Sequence, residues 1–184
     1  MGLIVTPFVG QTHFVGGIGG VSLTSVSTDN YFSENDFRMG YLGGVSYEYK
    51  FSDQIHFGLD FIYAQKGFKN NEVYTDTSDK NTGIEGVSDF NFDYFSLPIK
   101  AGISMGDNKI SGFVNLGLVP SFLYNAQTIV PTQETKNGKV IDVADVATKM
   151  DFSALIEVGG QYNLKDQFFI FTSLGYQKSF TSIT

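Results

Sequence analysis

His13 and His56 are the only imidazoles in the 184-residue chain, so any histidine-dependent chemistry must use one of them. His56 stands four residues before Asp60, two steps of a strand's period-2 alternation, and so shares a strand face with a carboxylate. With a serine, these are the parts of an acyl hydrolase or acyltransferase. No Gly-x-Ser-x-Gly elbow accompanies them, and His56 sits beside a short turn, so we read it as a hydrogen-bonded rim or interior histidine. A second set is purely charged. Glu48, Lys50, Asp60, Lys66, Lys100 and Glu157 fall on one strand face each, the face opposite the most apolar residues. Unpaired charges in a narrow interior are costly, so opposite signs are expected to pair as a plug that fixes register, with a selective pore or ligand site as the alternative. Asp76, Asp79, Glu85, Asp89, Asp93, Asp142 and Asp145 match no calcium-loop spacing and read as solvated loop charge. Gly16-Gly-Ile-Gly-Gly20 lacks the Lys-Ser/Thr of a phosphate cradle and reads as a first-strand segment that permits sharp coiling or close packing. No catalytic residue, cofactor or metal site is expected.

The elements that would position these residues are strands. Eighteen Phe, ten Tyr and 21 Gly favour strands and tight bends over helices. No apolar run approaches the roughly 18 residues of a membrane helix, so a bilayer, if crossed, is crossed by strands. A net charge of −7 makes nucleic acid a poor partner, because that binding depends on cations neutralising phosphates. The absence of Cys excludes a disulfide framework and thiolate metal sites.

Alternation is clearest from Asp151 to Leu164. Phe152, Ala154, Ile156, Val158 and Tyr162 oppose Ser153, Glu157, Gln161 and Asn163. Ile55–Lys66 and Ile110–Tyr124 repeat the pattern over more than ten residues, which suits a tilted membrane strand of about 9–11 residues better than a soluble strand of about 5–6. Connections alternate in length. Short turns fall at Ser52–Gln54, Gly106–Asn108 and Asn163–Asp166, and long polar loops at Thr28–Arg38, Lys69–Asn91 and Ala126–Met150. Periplasmic turns and extracellular loops segregate in this way in outer-membrane barrels. Tyr47, Tyr49, Phe51, Tyr63, Phe68, Phe92, Tyr94, Phe122, Tyr124, Tyr162 and Phe168 lie toward strand ends and suit interfacial girdles.

The expected fold is therefore all-β, an antiparallel up-and-down transmembrane barrel of about eight strands over residues 13–184. Seven are legible: Phe14–Ser27, Met39–Phe51, Ile55–Phe68, Phe92–Met105, Lys109–Asn125, Asp151–Leu164 and Gln167–Ser182. An odd count leaves an edge unpaired in hydrocarbon. Either a closing strand lies beyond Thr184, or Leu3–Thr12 supplies it. Residues 1–12 read equally as the tail of a signal peptide without its basic start or as that extra strand.

Three segments carry a resemblance: Gly43-Gly-Val-Ser-Tyr-Glu-Tyr-Lys-Phe-Ser-Asp53, Phe61-Ile-Tyr-Ala-Gln-Lys-Gly67 and Tyr94-Phe-Ser-Leu-Pro-Ile-Lys100. From Phe14 to Thr184 the chain resembles the outer-membrane β-barrel domain, or porin family, of Bacteroidetes-type bacteria, which includes the PorT-like proteins. Tyr63, Gln65, Lys66, Gly67, Tyr94, Pro98 and Lys100 match its pattern. The resemblance implies a bacterial outer-membrane location and allows a role in assembling a secretion apparatus. The expected function is non-enzymatic and structural or interactive, with outer-membrane lipid and lipopolysaccharide as surroundings and other envelope proteins as partners of the long loops. The alternatives are a narrow pore for small solutes and a soluble lipocalin-like carrier, the latter requiring the apolar stripes to face inward.

Overall fold

The computed structural model describes residues 3–7, 12–25, 35–75, 81–107, 109–132, 135–142, 148–165 and 168–181. Ten strands form one antiparallel sheet: β1 (Leu3–Pro7), β2 (His13–Thr24), β3 (Asn35–Lys50), β4 (Ile55–Thr75), β5 (Asn81–Ser96), β6 (Ile99–Gly106), β7 (Ile110–Thr132), β8 (Thr135–Asp142), β9 (Met150–Lys165) and β10 (Phe168–Ser179). β5 and β6 are two lengths of one stave, since both pair with β4 and with β7. The break falls at Leu97-Pro98, where proline has no N–H to give the ladder. Backbone bonding continues around it, from Leu97 N–H to Pro120 O and from Asp60 N–H to Pro98 O.

The pairings close into a ring of eight staves. From Phe169 of β10 the register runs through Val5, Gly16, Ser46, Asp60, Pro98, Val119 and Ser153 and returns to β10 at Ser179. The stagger is ten residues (179 − 169), which tilts the strands of an eight-stave barrel by about 40°. Outward residues are apolar and exposed, such as Leu116 and Leu118 at 61% each, whereas Val119 and Ser153 inside are 2% and 1% exposed. The apolar series of the sequence thus face outward, opposite to what a lipocalin-like carrier requires. From Phe152 to Tyr162 along β9 the outward face climbs about 26 Å at that tilt, close to the ~25 Å apolar band of a membrane barrel.

The long connections depart from expectation. β4 continues to Thr75 and β5 begins at Asn81, so most of Lys69–Asn91 is a paired hairpin; β7 continues to Thr132 and pairs with β8, an element the periodicity did not announce. Likewise β3 begins at Asn35, within the expected loop. Ladder bonds form between polar residues as readily as between apolar ones, so loss of apolar alternation marks the end of the lipid band and not the end of the strand. β1 occupies the stave between β10 and β2, pairing with Phe169–Phe171 on one side and Phe14–Gly16 on the other. Above those rungs, among the described residues, no pairing joins β2 to β10.

Candidate functional site

The lumen is layered. Nearest the short turns, Phe14, Phe169 and Phe171 pack together, and Phe113 meets the Phe171 ring edge-on at 6.2 Å. Lys50 projects into this layer with its ammonium 4.7 Å from the Phe14 ring centre and 5.5 Å from that of Phe169, a cation held by aromatic faces. Toward the long connections, Phe92, Tyr94, Leu123 and Ala126 form a second apolar layer with Phe68 and Phe90. Phe68, Phe92 and Tyr94 are therefore interior and no part of a girdle: their parity matches that of Lys66 and Ala64 on the inner face. Outward, Tyr41, Phe122, Tyr124, Tyr176 and Phe180 crowd one rim and Tyr47, Phe51 and Tyr162 the other.

Between the layers lies the charged network. Lys100 Nζ is 2.6 Å from Asp60 Oδ2 and 3.3 Å from Glu157 Oε2. Asp60 also accepts from Ser46 Oγ at 2.5 Å, and Glu157 accepts from Ser173 Oγ at 2.7 Å and Asn115 Nδ2 at 2.9 Å. Each carboxylate thus has an ammonium and at least one neutral donor, which is what burying a charge requires. A separate pair, Lys66 with Asp151 Oδ2 at 3.2 Å, lies nearer the outer mouth, where Asp151 also accepts from Ser153 and Ser179 and Lys66 stands 5.1 Å from the Tyr94 ring centre. Arg38 meets Asp89 at 2.8 Å beyond it.

All six charges read from the sequence face inward, but not in the pairs that strand adjacency suggested. Asp60, Lys100 and Glu157 converge; Lys66 goes to Asp151; Lys50 goes to the phenylalanines; and Glu48 lines a small cavity with no ion pair among the described residues. Asp151 was legible, since it has the parity of Ser153 and Glu157. Asp76, Asp79 and Asp145 lie outside the described residues, and the side chains of Glu85 and Asp142 are likewise not described. Asp89 and Asp93 do not stand as freely solvated loop charge, for Asp89 pairs with Arg38 and Asp93 accepts from Asn125 Nδ2 at 3.1 Å. Among the described residues no group of three or more His, Asp or Glu could hold a metal ion.

His56 is 5% exposed and joined to this network. Its Nε2 lies 2.7 Å from Asn115 Oδ1 and its Nδ1 3.2 Å from Ser104 Oγ. Because Asn115 gives its amide hydrogen to Glu157, its oxygen is the acceptor; His56 then donates from Nε2 and accepts the Ser104 hydroxyl at Nδ1. The order Ser104, His56, Asn115 is that of a hydrolase triad. The space beside it is a cavity of about 30 Å³ lined by Ser46, Glu48, His56, Lys100, Ser104 and Glu157, among others, room for a water or two and not for an acyl substrate. Gly102 makes the arrangement fit: a Cβ there would overlap Asn115 Oδ1 and lie 2.6 Å from His56 Nε2.

In comparisons with known proteins, residues 11–184 match the family described as outer membrane protein beta-barrel domain. No curated protein and no solved structure matches.

Proposed function

The chain belongs to the outer membrane protein beta-barrel domain family, and from that premise we propose that it is a non-enzymatic barrel of the bacterial outer membrane, plugged by its own side chains, that serves a structural or interaction role. The single observation that carries the plug is Lys100, whose ammonium bridges Asp60 on β4 and Glu157 on β9 across the lumen. An eight-stave barrel is just wide enough for its side chains to fill it, and here aromatic layers lie on both sides of the ion cluster. With the interior occupied, contacts with lipopolysaccharide and envelope proteins fall to the outer surface and to the hairpins β4–β5 and β7–β8, which run on beyond the apolar band. The matches at Tyr63, Gln65, Lys66, Gly67, Tyr94, Pro98 and Lys100 favour the PorT-like, Bacteroidetes-type branch, and any part in assembling a secretion apparatus rests on that resemblance alone.

Single-channel recording in planar bilayers tests the plug. We expect the wild-type barrel to insert without steady conductance and Lys100→Ala with Glu157→Ala to leak. A steady open level in the wild type would replace the plug with the narrow-pore reading.

A further inference from the structure

Among the described residues, the outer surface carries a furrow across β7, β9 and β10 that the plugged interior does not explain. This shallow groove of about 290 Å³ is lined by Ile110, Gly160, Tyr162, Ile170 and Thr172 together with Gln161 and Phe171, and its walls are almost wholly apolar. Gly112 and Gly160 are direct cross-strand partners, and Gly160 also pairs with Thr172. A Cβ at Gly160 would meet nothing nearer than 3.9 Å, and one at Gly112 nothing nearer than 3.7 Å, so the backbone does not demand glycine at either position. Beside these two glycines the outward surface of the same strands carries Val114, Leu116, Ile156 and Val158, all exposed.

At the short-turn end of the furrow stands an exposed cation. Lys109 immediately precedes Ile110, its backbone oxygen accepts from Asn163 N–H, and its ammonium lies 5.9 Å from the centre of the Tyr162 ring that walls the groove. Asp107 shares the turn and is exposed to solvent. An apolar slot with a lysine ammonium at its end is complementary to an anionic amphiphile with its chain along the barrel and its phosphate at the rim. Resting on the outer-membrane reading, we propose that this groove is a binding site for a glycerophospholipid of the periplasmic leaflet, its acyl chain along the groove at Gly160 and its phosphate against Lys109. Here chain and headgroup are held together, and anionic headgroups are preferred.

The chain has no tryptophan, so one introduced indole reports its own surroundings. Val114→Trp places it on β7 two residues above Gly112, and Phe57→Trp places it on the lipid face of β4, away from the groove. Both are refolded into phosphatidylcholine vesicles containing brominated-chain phosphatidylglycerol. At equal mole fraction the lipid should quench Val114→Trp with an apparent affinity at least about threefold above that for Phe57→Trp. Lys109→Glu should abolish the preference for phosphatidylglycerol over brominated phosphatidylcholine, and Gly160→Leu should lower quenching by both. Equal quenching of the two reporters, unaffected by either change, overturns the site while leaving the membrane barrel intact. Absence of quenching at both reporters overturns the membrane reading itself.

Discussion

Lys100 and Glu157 meet across an intervening strand: the ammonium on β6 reaches the carboxylate on β9 at 3.3 Å, passing over Gly117 of β7, which is the register partner of Lys100. The same ammonium holds Asp60 of β4, the stave that pairs directly with β6, so one residue ties β4 to β9, which the backbone ladder joins only through β6 and β7.

Removing that ammonium leaves two carboxylates buried without a counter-charge. Lys100→Met should therefore destabilise the barrel by about 3–5 kcal/mol, and adding Asp60→Asn and Glu157→Gln should recover much of it. Urea unfolding in lipid vesicles measures both. If the triple variant is no more stable than Lys100→Met, the cluster is hydrated and the plug is wrong.

Glu48 and Lys66 lie on neighbouring staves with opposite charge, yet Lys66 belongs to Asp151. A double-mutant cycle of Lys66→Met with Asp151→Asn should give a coupling of about 0.5–3 kcal/mol, and one of Lys66→Met with Glu48→Gln a value near zero. The reverse order would mean that the inward side chains pair by strand adjacency.

Leu116 and Ile156 are cross-strand partners near the middle of the outward apolar band. Either one changed to Arg should cost about 2–4 kcal/mol of folding free energy in bilayers. Gln161 would be a poor interior control, because it is 7% exposed and hydrogen-bonded to Asn163. Gln177→Arg, inward on β10 but solvent-exposed, should cost far less. Equal penalties at Leu116 and Gln177 would show that the two faces meet the same medium.

Gly102→Ala drives a methyl group into the His56–Asn115 contact and should destabilise by about 1–3 kcal/mol, as overpacking does. Gly43→Ala, whose Cβ would meet nothing nearer than 3.8 Å, is the matched control and should change stability by a few tenths at most. Equal urea midpoints for the two variants would mean that the lower lumen rearranges freely.

Protease added to intact cells should cleave within residues 69–91 or 126–150 and spare Asp53 and Asp107, which lie on the short-turn rim. Cleavage at those turns with both long connections untouched would invert the barrel in the membrane.

Period-2 alternation is a local property, and the sequence alone therefore determined which face of β4, β7 and β9 meets lipid and that the six charges Glu48, Lys50, Asp60, Lys66, Lys100 and Glu157 point inward, while Phe68, Phe92 and Tyr94, read as girdle residues, lie inside. It also placed the short turns and marked Lys66 and Lys100 as interior cations. Which charge meets which depends on how far each stave slides past the next, and a ten-residue stagger accumulates only around the closed ring. That is why Lys66 finds Asp151, 85 positions away, and Lys100 finds Glu157, 57 positions away. The tertiary structure alone also decided where strands end. Above the lipid band the ladder is held by backbone bonds that ask nothing of side-chain polarity, so β8 and the outer halves of β4, β5 and β7 left no trace in the hydrophobic pattern.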